Sequence, residues 1–230
     1  MQEMTTERFD LITFDCYGTL IDWESGIAGA FQLAAAQTGQ SIDPHQIIKS
    51  YMAEELKVET EQYRSYRQVL DETARRVASV AGIDMSSVQP DFLSNSIGEW
   101  MPFADANPAL KRLSKRFSLG ILSNVDDDLL ALTLRRLEAR FDLIITAEQV
   151  RSYKPAHPHF VEARRRAGSK KQLHAAQSYF HDVVPSKQLE ITVAWVNRKS
   201  EQPAAGGPSP DYEVTDLREL ADLLEADKRV

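Results

Sequence analysis

Asp15 ends the apolar run Phe9–Phe14, which only Asp10 and Thr13 interrupt, and Cys16-Tyr17-Gly18-Thr19-Leu20 follows it. Such a run predicts a buried parallel strand, and Gly18 lets the chain leave it in a tight turn. The carboxylate then lies at the carboxyl end of a strand, the edge where open α/β sheets bind ligands. An aspartate so placed can act as a nucleophile, since forming an ester divides one hard displacement into two easier steps. The competing reading is a buried carboxylate that caps the turn.

Lys154, in Tyr153-Lys154-Pro155, offers an ammonium that would keep such a carboxylate ionised and attract an anionic substrate group. Its alternative is a solvated loop lysine. Ser123 and Asn124 follow the apolar pair Ile121-Leu122 and precede Asp126-Asp127-Asp128. Hydroxyl and amide donors at such a point orient an anion, helped by the positive end of the next helix, or simply cap that helix. The three aspartates read as its solvated first turn.

These residues need strands to present them. From Asn107 onward the pattern alternates helix and strand, as βαβ units do. Helices are predicted from Pro108 with Asn107 as N-cap, at Asp126–Ala139, Pro158–Ala167, Pro185–Leu189 and Leu217–Ala226. Strands are predicted at Ser118–Ser123, Leu143–Thr146, Leu173–Gln177, Thr192–Val196 and Tyr212–Val214. Arg198–Asp211, rich in Pro, Ala, Gly and Ser, reads as a loop. Between Asp22 and Trp100 the pattern is helical throughout: Ser25–Gln37, a helix opened by Asp43-Pro44 and running to Lys57, Glu61–Ala81 stopped by Gly82, and Pro90–Glu99.

The chain has 230 residues and a formal net charge of −7, enough length for one full core and a smaller inserted domain. That charge argues against an electrostatic grip on nucleic acid or an anionic membrane. No apolar stretch approaches the ~20 residues that span a bilayer, and Met1–Arg8 is polar, so a cytoplasmic location is expected. The single cysteine, Cys16, cannot close an intrachain disulfide. Strand alternation points it away from the face used by Asp15, which favours a small buried residue over a thiol catalyst. His157 and His159 are too closely spaced to share a helix face, and no cysteine set accompanies them as zinc ligands.

Four segments in order, Asp15-Cys16-Tyr17-Gly18-Thr19, Ile121-Leu122-Ser123-Asn124, Tyr153-Lys154-Pro155 and Gln177-Ser178-Tyr179-Phe180-His181-Asp182, resemble the motifs of the haloacid dehalogenase-like (HAD) hydrolases. The resemblance implies an α/β fold: a Rossmann-like parallel-sheet core formed by residues 1–22 and 101–230, with a helical cap of residues 23–100. It implies that Asp15 is a covalent nucleophile. Tyr17 takes the place where family phosphatases carry a second aspartate as general acid, and a tyrosine there resembles the 2-haloacid dehalogenases. Halide leaves as a stable anion and needs no proton. Gln177 stands where phosphatases carry a carboxylate on magnesium, and a neutral amide is a poorer anchor for that hard cation.

The implied activity is hydrolytic dehalogenation of short (S)-2-haloalkanoic acids, with Asp15, Lys154 and Asp182 catalytic. Tyr17, Thr19, Ser123 and Asn124 would hold the substrate or nucleophile, without metal or cofactor. Asp182 would support the water that cleaves the ester, or else cap the helix after Pro185. The halide-binding arginine of these enzymes has no counterpart in Gln40–Gln46, and Arg67 or Arg64 would stand in for it or pair with nearby acids. Phe160 and Tyr179 replace a tyrosine and an asparagine of those enzymes. A phosphatase that binds Mg²⁺ through Asp15 and Asp182, and a catalytically silent binding protein, are the alternatives. The expected partner is a small anionic molecule, and the resemblance is compatible with a homodimer.

Overall fold

The structure is a computed structural model, which describes residues 9–61 and 63–226. Met1–Arg8, read above as a polar start, lie outside the described residues. The chain opens with β1 (Leu11–Phe14), whose four side chains are all buried. Then come α1 (Trp23–Gln37), α2 (Pro44–Thr60), α3 (Tyr66–Ala81), α4 (Phe92–Ser96) and a 3-10 turn over Ile97–Glu99. After them α5 (Ala106–Leu113), β2 (Ser118–Ser123), α6 (Asp127–Leu134), β3 (Leu143–Thr146), α7 (Ala147–Val150) and α8 (Pro158–Ala167) follow. β4 (Gln172–Ala176) leads through a π-helical turn, Tyr179–Val183, into α9 (Val184–Gln188), β5 (Thr192–Val196), β6 (Tyr212–Val214) and α10 (Leu217–Ala226).

The six strands form one parallel sheet in the order β3-β2-β1-β4-β5-β6. The direction of winding reverses beside β1, which creates a crevice beyond the carboxyl ends of β1 and β4. α1 to α4 leave this sheet after β1 and return along Trp100-Met101-Pro102, where Asp22 N donates to Met101 O at 2.9 Å. They form a helical cap in which Phe31 and Phe92 meet edge-on at 5.1 Å, and its apolar residues join those around the sheet in one buried cluster.

Several helix starts differ from the pattern, and two of them have a clear local cause. α3 begins at Tyr66 rather than Glu61, because Ser65 and Gln68 form a reciprocal capping box that fixes the first turn there. Gly82 ends it in the left-handed conformation at φ 65°. α5 begins at Ala106 after Asp105, which places Asn107 inside the helix. The Asn107 side chain instead donates to Arg136 O at 3.0 Å and accepts from Glu138 N at 2.9 Å, tying α5 to the segment after α6.

Candidate active site

β1 delivers Asp15 to the sheet edge, where its backbone N–H continues the ladder to Ala175 O at 3.1 Å. The chain then turns through Gly18 at φ 98°, and a Cβ there would press to 3.3 Å on both Gln177 Oε1 and Trp23 Nε1. Glycine is therefore required by conformation and by space. The turn brings Thr19 back under the carboxylate. Its hydroxyl donates to Asp15 Oδ2 at 2.8 Å and accepts from Gln177 N at 2.9 Å, linking the ends of β1 and β4.

Lys154 Nζ donates to Asp15 Oδ1 at 2.9 Å, to Asp182 Oδ1 at 2.6 Å and to Leu122 O at 3.0 Å. All three ammonium hydrogens are used, and the lysine and both aspartates are buried. Burial alone would discharge the lysine, but Asp15 and Asp182 outweigh it and raise its pKa. Asp182 experiences the reverse: burial favours its neutral form, and Lys154 followed by His174 overcomes that and holds the carboxyl far below its ordinary range. The pair is stable as charges only because each supplies what the other lost from water.

Asn124 faces Lys154, though not its ammonium. Asn124 Oδ1 accepts from Lys154 N at 2.7 Å and Nδ2 donates to Lys154 O at 3.1 Å, so both amide atoms clamp the lysine backbone. Ser123 Oγ is buried and has no hydrogen-bond partner among the described residues, which leaves it free for a substrate oxygen. Tyr17 bonds Thr133 Oγ1 through its hydroxyl at 2.8 Å and meets Trp100 edge-on at 5.7 Å, forming a wall where cap joins core. Its pKa is raised, by burial first, so the phenol stays neutral. Cys16 is buried, and burial followed by Asp15 raises its thiol pKa.

Arg67 lies at the cap–core boundary, where its Nη2 pairs with Asp128 Oδ2 at 2.8 Å. Arg64 pairs with Glu61 at 2.8 Å. Neither guanidinium touches Asp15. The reading of Asp126-Asp127-Asp128 as a solvated first turn holds for Asp127 and Asp128, which are exposed at the start of α6, and is corrected for Asp126. Asp126 is buried and accepts from Tyr66 N and Arg67 N, both at 2.9 Å, while Asp127 Oδ1 accepts from Thr146 Oγ1 at 2.7 Å and Gln149 Nε2 at 2.8 Å. Tyr179 is buried against Trp195 and donates to Pro208 O at 2.7 Å.

Three groups at the site escaped the motif reading. His174, fully buried on β4, lies 3.0 Å from Asp182 Oδ1 through Nε2. A polar residue within an apolar strand was its signal. On α2, Tyr51, Glu55 and Glu59 recur at four-residue steps and share a helix face. Glu55 Oε1 accepts from Tyr51 OH at 2.7 Å and Tyr66 OH at 2.9 Å, and the Tyr66 ring lies 6.4 Å from Tyr153, the neighbour of Lys154. Both glutamates keep some contact with solvent while packed against protein on nearly all sides, and burial raises both pKa values, Glu59 further because Glu55 repels it and despite Lys154. His159 Nε2 lies 3.2 Å from Ser123 O, and burial followed by Lys154 lowers its pKa to about 3, so it is neutral.

Among the described residues no group of three or more His, Cys, Asp or Glu is placed to hold a metal ion. Asp15 and Asp182 both turn an oxygen to the Lys154 ammonium, and Gln177 contributes only a neutral amide oxygen to the rim.

A buried carboxylate–ammonium centre at the carboxyl edge of a parallel sheet, covered by an inserted helical cap, defines a capped α/β enzyme built around an aspartate. The haloacid dehalogenase-like hydrolase family model matches residues 9–176, and the chain belongs to that family. An (S)-2-haloacid dehalogenase of Pseudomonas sp. (strain YL) is 25% identical over 218 residues, which cover 93% of this chain and 94% of the relative. Haloacetate dehalogenase H-2 of Moraxella sp. (strain B) is 24% identical over 223 residues, covering 95% and 99%. The structure of an L-2-haloacid dehalogenase from Xanthobacter autotrophicus with chloropropionic acid covalently bound superposes with a TM-score of 0.81 at 20% identity, over 95% of this chain and 99% of that one. No helix among the described residues is long and apolar enough to cross a membrane.

Proposed function

We propose that the protein hydrolyses the carbon–halogen bond of short (S)-2-haloalkanoic acids through an ester of Asp15. The observation that carries this reading is the Asp15–Lys154 contact at 2.9 Å in a loop that offers Tyr17, and no second carboxylate, to the leaving group. The names of the relatives, dehalogenases of 2-haloacids and haloacetate, support the same substrate class.

In the first step an Asp15 oxygen bonds to C2 of the substrate as the carbon–halogen bond breaks with inversion, and the halide departs with the bonding electrons. Lys154 keeps the nucleophile ionised, and the free Ser123 hydroxyl would receive the substrate carboxylate. In the second step a water oxygen bonds to Asp15 Cγ and gives its proton to Asp182. The tetrahedral adduct collapses by breaking the Cγ–O bond to the substrate, and the released alkoxide takes that proton back, leaving a 2-hydroxy acid. The proton of the regenerated Asp15 carboxyl is lost to solvent. Closure of the cap excludes bulk water from the first step.

The test is halide release from chloroacetate and from each enantiomer of 2-chloropropionate, run beside a phosphate-ester assay with and without Mg²⁺. Release from the (S) enantiomer that persists in chelator and vanishes in Asp15→Asn is the expected result. Chelator-sensitive phosphate release without halide release would replace this reading with the phosphatase, and binding without any turnover would replace it with the silent protein.

A further inference from the structure

Thr13 and His174 are register partners on β1 and β4, and Gln172 lies two residues before His174 on the same face of its strand. Their side chains form a continuous chain beneath the active site. Gln172 Nε2 donates to Thr13 Oγ1 at 2.8 Å, Thr13 Oγ1 lies 3.0 Å from His174 Nδ1, and His174 Nε2 lies 3.0 Å from Asp182 Oδ1. The Thr13 hydroxyl has one proton to give. Its other acceptor, Leu173 O, is at a long 3.4 Å, so the geometry favours donation to His174 Nδ1 at 3.0 Å. That leaves the histidine hydrogen on Nε2, directed at Asp182. Phe160 packs edge-on against the imidazole at 5.4 Å and holds its plane.

The consequence falls on Asp182. Its Oδ1 receives both Lys154 at 2.6 Å and His174 at 3.0 Å, while Oδ2 is buried and has no partner among the described residues. With one donor, the carboxylate could exchange its oxygens by rotating about Cβ–Cγ. With two fixed donors on one oxygen, only Oδ2 is left to accept a proton from water. We propose that His174, oriented by Thr13, is a positioning residue that aims Asp182 Oδ2 at the water that cleaves the Asp15 ester. The proposal rests on the two-step reading above and assigns His174 to the second step alone.

Wild type is compared with His174→Leu, His174→Gln and Thr13→Val in steady-state halide release and in mass spectrometry of quenched enzyme. In His174→Leu, kcat is expected to fall about tenfold or more. kcat/KM, which reports the first step, is expected to stay within about twofold, because KM falls with kcat. The ester accumulates, seen as a mass increase equal to substrate less halide. His174→Gln, which keeps a donor, restores part of kcat, and Thr13→Val shifts it in the same direction as His174→Leu. Unchanged turnover in His174→Leu overturns the proposal, as does an equal fall in kcat and kcat/KM with no accumulated ester. Nitrogen NMR of wild type provides a test that needs no turnover: a proton on His174 Nε2 with Nδ1 accepting supports the chain, and an unprotonated Nε2 overturns it. A wild type that releases no halide from any haloacid sinks the two-step reading instead, and the NMR result still decides whether the chain exists.

Discussion

Asp126 on the core accepts a 2.9 Å hydrogen bond from the backbone N–H of Tyr66, the first residue of cap helix α3, and a second from Arg67 N at the same distance. The carboxylate thus acts as a cap from another part of the fold, adding to Ser65 and satisfying donors that the first helical turn leaves open. Two further bonds join the same regions: Tyr153 OH donates to Arg64 O at 2.8 Å and Tyr63 OH to Ala147 O at 3.1 Å. Asp126 follows Ser123 and Asn124 by only a few residues, so the loop that positions Lys154 also fixes the cap over it.

Asp126→Ala should therefore destabilise the protein by about 2 kcal/mol, since it strands buried N–H donors as well as removing a charged acceptor. For a chain of this size that corresponds to a fall in Tm of roughly 4–8 °C, measurable by calorimetry. Arg67→Ala provides the contrast. It removes a half-exposed pair with Asp128 and should cost under about 1 kcal/mol. If Arg67 bound halide, the same variant would raise KM steeply, and a KM within about twofold of wild type is the outcome its present partner predicts.

Asn124 gives a prediction in which the defect is one of placement. Its amide holds the Lys154 backbone from both sides, and nothing else in the loop duplicates the pair of bonds. Asn124→Ala should lower kcat about 10- to 100-fold by letting the ammonium drift from Asp15, without removing any group that meets substrate. Asn124→Asp keeps the acceptor for Lys154 N and loses the donor to Lys154 O, so its kcat should fall between the two. Equal activity in all three would show that the lysine is held by its own three contacts.

The parts of the molecule legible in the sequence are those settled by neighbours along the chain. β2, β3, β5, β6, α8 and α10 occupy the residues their patterns predict, because apolar runs and periodic faces report burial directly. The four motifs likewise meet in space around Asp15. What was missed depended on distant partners. Asp126 reads as a solvated first-turn acid until a helix start some sixty residues earlier in the chain is folded against it. His174 reads as an interruption of a strand until Asp182 and Thr13 stand on either side of it. The start of α3 is legible in the spacing of Ser65 and Gln68, which form its capping box.

Glu59 tests what the cap contributes in place of an arginine. Its carboxyl pKa is raised first by burial and then by Glu55, so the folded protein holds a proton that the unfolded chain releases near pH ~4.3. As pH rises from there through the folded value, ionising Glu59 opposes folding, and above the folded value the whole penalty is present. Glu59→Gln removes it. The variant should therefore have a higher Tm than wild type at pH 8, with the difference vanishing near pH 4. The same charge repels an anionic substrate in the crevice, so KM for 2-chloropropionate should rise with pH in wild type and lose that slope in Glu59→Gln. A variant with unchanged Tm at pH 8 and the same KM profile would show that Glu59 is ordinarily solvated and plays no part in receiving substrate.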